Sequence, residues 1–438
     1  MSGVREKVDD FLKKYKMHPN NVDIVEVSGI FLEEMKRGLT GESSTLAMIP
    51  TYIEPTTLVE RNKRVLVLDA GGTNFRVATV YFDENFRAVI EKFNRFSMPG
   101  SKSPVSKREF FNTIVDYIVK TGKIEDKVGF CFSYPTEILP NKDGRLIKFC
   151  KEVVAPGVEG ELIGEGLKEA LDDRGLKSDV KVILMNDTVA TLLAGLATYR
   201  EKRYDNYIGF ILGTGTNCCY VEKNSEIKKL RGLNQEGKQI VNVESGAFGK
   251  APRGLIDDSL DSKTMDPGNY RFEKMISGGY FGALCLETFK FAAKDRLLSD
   301  NFAKIIMDIE NQETKDINDF YSNPLSRQSI FSNKLGNLNN FDDYRVLYFI
   351  IDELIERAAK LTAINIGSVI LKTNSGNNPL YPVLITAEGT TFYGLKNLKD
   401  RVLCYLKNYI YDKKNRYFEI VNVENATLIG SAIAGLTN

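Results

Sequence analysis

The fold of this chain follows from the stretch Val65-Leu-Val-Leu-Asp69-Ala-Gly71-Gly72-Thr73-Asn74-Phe-Arg76-Val-Ala-Thr-Val80. An apolar run, a Gly-Gly-Thr-Asn turn and a second β-branched run predict a hairpin of two strands. The glycines allow positive φ angles, and successive N–H groups in such a turn form a nest that suits phosphate. Asp69, at the end of the first strand, suits Mg²⁺ held through oxygen or water ligands. The alternative interpretation is an ordinary hairpin with a Gly-Gly turn.

A second stretch, Ile208-Gly-Phe-Ile-Leu-Gly-Thr-Gly-Thr-Asn-Cys-Cys-Tyr-Val221, repeats this pattern. Its Thr-Asn pair lies 143 residues after the first one (Asn217 minus Asn74). Two phosphate-type hairpins predict two similar halves that face each other across a cleft and hold the β- and γ-phosphates from both sides. The chain has neither a Walker-type phosphate loop nor the G-x-G-x-x-G pattern of dinucleotide folds.

The composition describes an ordinary globular chain that is longer than a single core requires. The chain has 438 residues, of which 43% are hydrophobic and 27% charged, and its net charge is +1. Two domains are therefore expected, and neither nucleic acid nor an acidic membrane surface is an expected partner. His18 is the only histidine, which excludes a His-based triad and makes a protein-built zinc site an unlikely interpretation. Acid–base chemistry must then use a carboxylate, a lysine or a tyrosine.

The expected location is the cytoplasm. The six cysteines are scattered without a C-x-x-C pair, which fits a reducing compartment. The opening Met1-Ser-Gly-Val-Arg-Glu-Lys does not read as a signal peptide, and no apolar run approaches the roughly 18 residues of a membrane span.

Helical and strand patterns alternate along the first half of the chain, which predicts α/β layers. After residue 221 the pattern becomes more helical, and the segments 222–240 and 251–268 read as long polar loops. Helices are predicted over 4–39 (two, broken near His18), 107–122, 159–175, 189–199, 270–295, 301–311, 342–366 and 426–436. Beyond the two hairpins, strands are predicted over 88–97, 127–132, 181–185 and 381–386.

Asp187 is the best catalytic candidate. It follows the predicted strand 181–185 in the sequence Asn186-Asp187-Thr188 and precedes a helix. Ligands of α/β sheets bind beyond the carboxyl ends of strands. A carboxylate placed there can accept a proton from a hydroxyl that attacks a γ-phosphate. The competing interpretation is a helix N-cap, a role that Asn and Asp often have.

Several further polar residues stand in apolar or Gly-rich surroundings, and together they suit a sugar. A sugar presents hydroxyls that both donate and accept, so its site needs amides and carboxylates. Each residue alone has an ordinary interpretation as a cap, a surface charge or a salt-bridge partner. The set comprises Ser133, Lys151, Asn217, Glu244 and Glu273.

These motifs resemble those of the eukaryotic-type hexokinases, in the superfamily that joins actin-like ATPases and sugar kinases. The resemblance spans about residues 30 to 435, in the family's order, and covers one copy of the unit. The segments that carry it are Leu68–Val77 and Leu212–Asn217 for phosphate, Gly129–Pro135 for the family's FSFP segment, Asn186–Thr191 for the catalytic segment, and Asn242–Gly249 and Asp266–Gly278 for sugar binding.

The resemblance implies ATP-dependent phosphorylation of the 6-hydroxyl of glucose, with mannose or fructose as further substrates, as the first step of glycolysis. Asp187 would be the general base, and Asp69 would serve Mg²⁺, through water, and the phosphates. Ser133, Cys150, Lys151, Asn186, Asn217, Glu244 and Glu273 would surround the sugar. Gly71, Gly72, Thr73, Asn74, Arg76, Thr214, Gly215, Gly389, Thr390 and Thr427 would hold ATP.

The resemblance also implies a two-lobed, actin-like (ribonuclease H-like) α/β fold with a central cleft that closes on the sugar and expels water. A monomer or a homodimer is expected. The expected domains are a large one with residues 1–60 and 187–425, and a small one with residues 61–186 and the returning C-terminal helix 426–438.

The chain departs from the family pattern at several positions. The family's Trp-Thr-Lys reads Phe149-Cys150-Lys151, so a thiol replaces a hydroxyl. The expected consequence is either a cost of about 1 kcal/mol or a water molecule that bridges to the sugar. Ser245 stands where a Trp is usual, and Glu388 where the adenosine-side Asp is usual. The C-terminal segment 424–430 has no Lys. These changes bear on affinity and sugar selectivity more than on the reaction.

Three other functions compete with a hexokinase. A catalytically weak sugar sensor would keep the fold and the sugar site, but Asp187 and both phosphate turns are present. A zinc-containing bacterial-type sugar kinase would need a Cys-rich motif and a His that this chain lacks. An actin-like nucleotide switch would have no use for the sugar-binding set.

Overall fold

Two β-sheets organise the chain in the computed structural model, which describes residues 2–56, 58–72, 74–149, 153–326, 330–335 and 341–438. The strands are β1 Ile49–Pro50, β2 Val65–Gly71, β3 Asn74–Phe82, β4 Ala88–Ser97, β5 Lys127–Phe132, β6 Thr136–Ile138, β7 Gly144–Leu146, β8 Lys181–Met185, β9 Asn206–Leu212, β10 Thr216–Lys223, β11 Lys238–Asn242, β12 Val383–Glu388 and β13 Phe418–Val421.

Helices cover both sheets. They are α1 Ser2–Lys14, α2 Ile24–Thr40, α3 Lys107–Thr121, α4 Ile163–Asp172, α5 Asp187–Thr198, α6 Leu255–Asp261, α7 Arg271–Ile276, α8 Gly278–Lys294, α9 Asp300–Asp308, α10 Thr314–Ser322, α11 Ile330–Leu335, α12 Phe341–Thr373, α13 Thr390–Gly394, α14 Leu398–Leu406 and α15 Ala426–Thr437. None of the helices in the described ranges is long and apolar enough to span a membrane.

The two sheets repeat one strand order. The first runs β4-β3-β2-β5-β8, with β2 to β4 antiparallel and with β5 and β8 parallel to the β2 direction. The second runs β11-β10-β9-β12-β13 in the same arrangement, and β1 adds to its β11 edge. Each half therefore begins with a phosphate-type hairpin, and the predicted two-lobed α/β fold is confirmed.

The burial of each strand follows its place in the sheet. The central strand β2 is buried from Val65 to Ala70, as expected for a strand covered on both faces, whereas the edge strand β4 is only partly buried. Between the sheets lies α5, which is buried from Thr188 to Leu196. One apolar cluster joins this helix to residues of both sheets and to α15.

The C-terminal helix α15 packs on β2, β5 and α5, and so returns to the first sheet. Close packing explains two glycines, because a Cβ at Gly430 would overlap the carbonyl oxygen of Ala190, and one at Gly129 that of Ser431. We propose that the two lobes follow the two sheets, with the domain boundaries expected from the sequence.

Three predicted segments differ from the structure. The helix expected over 159–175 is confined to Ile163–Asp172, because Gly160 and Gly175 on either side adopt positive φ angles. The helix expected over 270–295 breaks at Ser277, whose extended backbone caps α8. The segment 251–268 contains α6, whose Asp257 forms a buried ion pair with Arg357 of α12 that no local pattern reveals.

We predict opposite effects on stability for two Gly-to-Ala substitutions in helices. Gly430→Ala should lower the free energy of unfolding by about 3 kcal/mol, because the new Cβ cannot fit against Ala190. Gly29→Ala, on the exposed face of α2 with open space around it, should raise it by roughly 0.5 to 1 kcal/mol. Urea unfolding measures both, and equal stability of the two variants would contradict the packing of α15.

Candidate active site

The candidate residues follow strand ends in both sheets, and the cleft between the sheets is lined by Tyr134, Asn186, Asn242 and Glu244. Asn186 is the N-cap of α5, and its side-chain oxygen accepts from the N–H of Thr188 at 2.9 Å. Asp187 is the first residue of the helix and also accepts from that N–H, at 2.8 Å. The capping interpretation therefore applies chiefly to Asn186. The Asp187 carboxylate lies at the helix N-terminus, where the dipole favours negative charge.

A network of amides and carboxylates extends from α5 to the end of β11. The side-chain nitrogen of Asn217 donates to the oxygens of Asn186 (3.4 Å), Asn242 (2.9 Å) and Glu244 (3.2 Å). Asn242 also donates to Glu244, at 2.7 Å. Burial raises the pKa of Glu244, and the nearby Asp187 adds to this, while the two amides oppose it. These groups form a surface of alternating donors and acceptors, which suits adjacent sugar hydroxyls.

A layer of buried polar side chains supports this network from behind. The side-chain nitrogen of Asn365, on α12, donates to the hydroxyl of Ser245 at 3.0 Å, and its oxygen accepts from the Cys218 thiol at 3.1 Å. The N–H of Ser245 in turn donates to Asn217 at 3.2 Å. Ser245, the residue that stands where the family has a Trp, therefore occupies a polar site. This layer fixes the backbone of Glu244, which has a left-handed conformation with φ 58°.

Glu273 lies between the sugar-type network and the second phosphate-type turn. Its carboxylate accepts from the N–H of Thr216 at 2.8 Å, and a Cβ at Gly215 would press against it. The next residue, Lys274, is buried and donates to Asp261 at 2.7 Å, which anchors α7 to the end of α6.

The first phosphate-type turn joins β2 to β3 and is tied to the segment after β5. Gly72 has a φ of +48°, as expected for a tight turn, and its carbonyl oxygen accepts from the Tyr134 hydroxyl at 2.9 Å. The N–H of Ser133 donates to Ala70 at 3.1 Å, which sets Ser133 next to the turn. Asn74 is exposed at the first position of β3.

Asp69 is the buried anchor of this turn. Its carboxylate is 2% exposed, forms an ion pair with Arg76 and accepts from the Thr427 hydroxyl at 3.0 Å. Arg76 also donates to Thr427, at 2.9 Å. Thr427, from the last helix, therefore completes a triad with two residues of the first hairpin.

The second phosphate-type turn docks on the starts of two helices. The carbonyl oxygen of Gly213 accepts from the N–H of Gly278 and from the hydroxyl of Thr391, both at 2.8 Å. Thr214 is exposed, and its carbonyl accepts from Gly279 at 2.9 Å. Gly389, which precedes Thr390 at the start of α13, has no room for a Cβ because its backbone meets that of Leu212.

Glu388, at the end of β12, lies within electrostatic range of Asp187 and of Asp69 in the first turn. Burial raises the pKa of Glu388 to about 7, the negative charges of Asp187 and Asp69 act in the same direction, and Arg76 opposes them. Three carboxylates therefore share one region of the cleft. Such an accumulation of negative charge favours a bound cation and a partly protonated carboxyl group.

Hydrogen bonds join Asn217 to Asn186 and Glu244, and Glu273 accepts from the residue before Asn217. Ser133 lies beside the first turn, where its N–H donates to Ala70. Thr73, Cys150 and Lys151 lie outside the described residues. Asn242 and Tyr134 were missing from the expected set. Both stand inside the quoted motifs, so the signal was available: an amide two residues before Glu244, and a hydroxyl where the family has Phe.

Two family models match the chain, both described as Hexokinase, over residues 7–197 and 207–437. The chain belongs to the hexokinase family. Hexokinase-2 of Rattus norvegicus is 30% identical over 397 residues, which are 86% of this chain and 42% of that protein. The chain thus spans less than half the length of that relative. The hexokinase of Schistosoma mansoni is 33% identical over 308 residues, or 67% of this chain and 66% of that protein.

A solved structure agrees with this assignment over the full length. The structure of the hexokinase from Schistosoma mansoni complexed with glucose has a TM-score of 0.82 and 26% identity, and the match covers 100% of this chain and 99% of that chain. A glucokinase from an Antarctic psychrotroph, at 14% identity and a TM-score of 0.51, shares the fold. The resemblance inferred from the motifs is confirmed.

We predict that the buried layer behind the site depends on Asn365. Asn365→Leu leaves the Ser245 hydroxyl and the Cys218 thiol without their partner, so the free energy of unfolding should fall by about 2 kcal/mol. Hydrogen exchange of the Ser245–Ala247 amides should become faster. Thr362→Val is the matched control, because this buried hydroxyl on the same helix has no hydrogen-bond partner among the described residues. An equal loss in both variants would contradict the prediction.

Proposed function

We propose that this hexokinase-family chain transfers the γ-phosphate of ATP to the 6-hydroxyl of a hexose, with glucose as the preferred substrate. The observation that supports this best is the position of Asp187. It lies at a helix N-terminus, next to the amide–carboxylate network and within electrostatic range of Glu388 and the first turn. A base, a polyol site and a phosphate site in one cleft are what phosphoryl transfer to a sugar requires.

The sugar would lie on the surface formed by Asn186, Asn217, Glu244 and Glu273, with Ser133 as a further contact from the small lobe. Glu244 offers acceptors and the amides offer both donors and acceptors, so neighbouring hydroxyls can be paired. The hexose would displace some of the internal hydrogen bonds, such as that between Asn217 and Glu244 at 3.2 Å. Lys151 and Cys150 are proposed to complete the site on the small-lobe side.

Asp187 is proposed to accept the proton of the attacking hydroxyl. Its carboxylate is held by the Thr188 N–H at 2.8 Å, which limits its rotation. Closure of the two lobes would bring the turns at Gly71–Asn74 and Thr214–Gly215 to the same polyphosphate and exclude water. Gly389 and Thr390, next to the second turn, and Thr427, next to the first, would hold the nucleotide.

Mg²⁺ fits the residues of the first turn. Asp69 supplies hard carboxylate oxygens, and the shared negative charge of Asp69, Asp187 and Glu388 favours a cation. Asp69 would hold the ion, directly or through water, and the ion would neutralise charge on the phosphates. Arg76, which is paired with Asp69, would add a second positive group.

The location and assembly of the protein are also proposals. The described cysteines Cys131, Cys218, Cys219, Cys285 and Cys404 are free thiols, which supports a reducing compartment such as the cytoplasm. For assembly we propose a monomer or a homodimer.

The proposed reaction predicts glucose-dependent release of ADP from ATP and Mg²⁺, with glucose 6-phosphate as the product. A coupled assay with glucose, mannose, fructose, galactose, glucosamine and N-acetylglucosamine measures the rate and the preference. Clear glucose binding without turnover on any sugar would instead favour a sugar sensor. If the protein shows no turnover of any sugar and also no sugar binding, the proposed substrate class is wrong.

Asp187→Asn tests the proposed base. This change keeps the shape of the side chain but removes the proton acceptor, so kcat should fall by about 10³-fold. Glucose affinity, measured by calorimetry, should change little because the network around Asn217 remains. Asp173→Asn, an exposed position at the end of α4, is the control and should leave kcat unchanged. Activity of Asp187→Asn near that of the control would show that another group is the base.

A further inference from the structure

One short segment, Ser133–Tyr134, connects the sugar side of the candidate site to the first phosphate-type turn. It directly follows β5 and continues the pairing of β5 with β2, because the N–H of Ser133 donates to the carbonyl oxygen of Ala70 at 3.1 Å. The Tyr134 hydroxyl reaches further and donates to the carbonyl oxygen of Gly72 at 2.9 Å. The first bond lies at the end of the strand pair, whereas the second holds the turn itself.

The carbonyl group of Gly72 is a sensitive point of this turn. Gly72 has a φ of +48° and no side chain, so its backbone has more conformations available than that of other residues. A peptide group is planar, so a bond that fixes a carbonyl oxygen also fixes the N–H of the same peptide group. The N–H groups of such turns are the donors that bind phosphate. The Tyr134 hydroxyl therefore affects how the turn presents its donors.

The ring of Tyr134 lies on the sugar side of the same segment. Its side chain is 3% exposed and packs against Phe132 and Phe149, with distances of 4.9 and 5.3 Å between the ring centroids. The ring also lines the cavity that Asn186 and Glu244 line. One side chain thus contacts the sugar-type network's cavity with its ring and the phosphate-type turn with its hydroxyl.

We propose that Tyr134 is a positioning residue that links the hexose site to the phosphate site. Its hydroxyl orients the Gly72 peptide group for the phosphates of the donor, and a hexose next to its ring restrains the hydroxyl in that position. A nucleotide that binds after the hexose meets a turn that is already ordered, so it binds more tightly. By thermodynamic reciprocity, the nucleotide strengthens hexose binding by the same factor. The inference rests on the proposed function and deepens it.

Tyr134→Phe tests the link, because it keeps the ring and removes only the hydroxyl. Calorimetry measures the Kd of AMP-PNP with Mg²⁺, once without sugar and once with saturating glucose. Glucose should lower this Kd in the wild-type protein. The ratio of the two Kd values should be about fivefold smaller in Tyr134→Phe, because the hydrogen bond between the two sides is lost. The Kd of glucose without nucleotide should stay near its wild-type value, because the ring remains.

Tyr15→Phe is the matched control. The Tyr15 ring also packs against two phenylalanines, Phe11 and Phe291, with centroid distances of 5.2 and 5.1 Å, and its hydroxyl donates to Asp295 at 2.9 Å. These partners lie on α1, on α8 and directly after α8, and none of them is a candidate site residue. Tyr15→Phe should therefore keep the wild-type ratio of the two Kd values.

Hydrogen exchange separates this inference from the proposed function, because it needs neither sugar nor turnover. Faster exchange of the Gly71 and Gly72 amides in ligand-free Tyr134→Phe than in Tyr15→Phe supports the positioning role even if no sugar is phosphorylated, and equal exchange overturns it. Hexose phosphorylation with a wild-type Kd ratio in Tyr134→Phe overturns the inference while the proposed function stands. An equal fall of the ratio in Tyr15→Phe would also overturn it, because a general loss of stability would then explain the result.

Discussion

The rest of the structure depends on the close approach of α5 to its neighbours. A Cβ at Gly209 would overlap the carbonyl oxygen of Thr188, and one at Gly430 the carbonyl oxygen of Ala190. A Cβ at Gly195 would overlap the hydroxyl of Thr386. The helix therefore packs at very short distance against the second sheet on one side and against α15 on the other. Because it is buried along its length, its N-terminus cannot shift without both sheets. The position of Asp187, the first residue of α5, is therefore set by the packing of this helix.

Charge in the cleft is the second constraint. Burial raises the pKa of Glu388 to about 7, and the negative charges of Asp187 and Asp69 act in the same direction. The protein offsets part of this with Arg76 and with the N–H groups at the starts of helices. A site of this kind is stabilised by binding a cation and a polyanion together, since either alone leaves charge unbalanced. Magnesium with a nucleoside triphosphate is such a pair.

The sequence allowed the hairpins, the helix after Asp187 and the fold class to be predicted because their signals are local: apolar runs, glycine turns and an acidic residue after a strand. The features that could not be predicted are contacts between residues that lie far apart along the chain. Asn365 meets Ser245 and Cys218 only after α12 has packed on the second sheet. The direct pairing of Arg95 with Arg76 depends on the register of β3 and β4, which the sequence does not show. The break at Ser277 follows from the hydrogen bond between Gly278 and Gly213, which belong to separate segments.

Two departures from the family pattern, Tyr134 and Ser245, affect residues that hold the backbone of the site in place and not the residues proposed to act on the substrate. Tyr134, where the family has Phe, adds a hydroxyl that holds the carbonyl of Gly72 at 2.9 Å, and so links the sugar-side segment after β5 to the phosphate-side turn after β2. Ser245, where a Trp is usual, is joined to Asn365 and so replaces apolar packing by a hydrogen bond. Ser245 is fully buried behind Glu244, whereas Tyr134 lines the cavity next to Asn186 and Asn242. A buried hydrogen bond holds its partners in one geometry more strictly than apolar contact does. These residues therefore preserve the arrangement of the cleft while the side chains that build it differ.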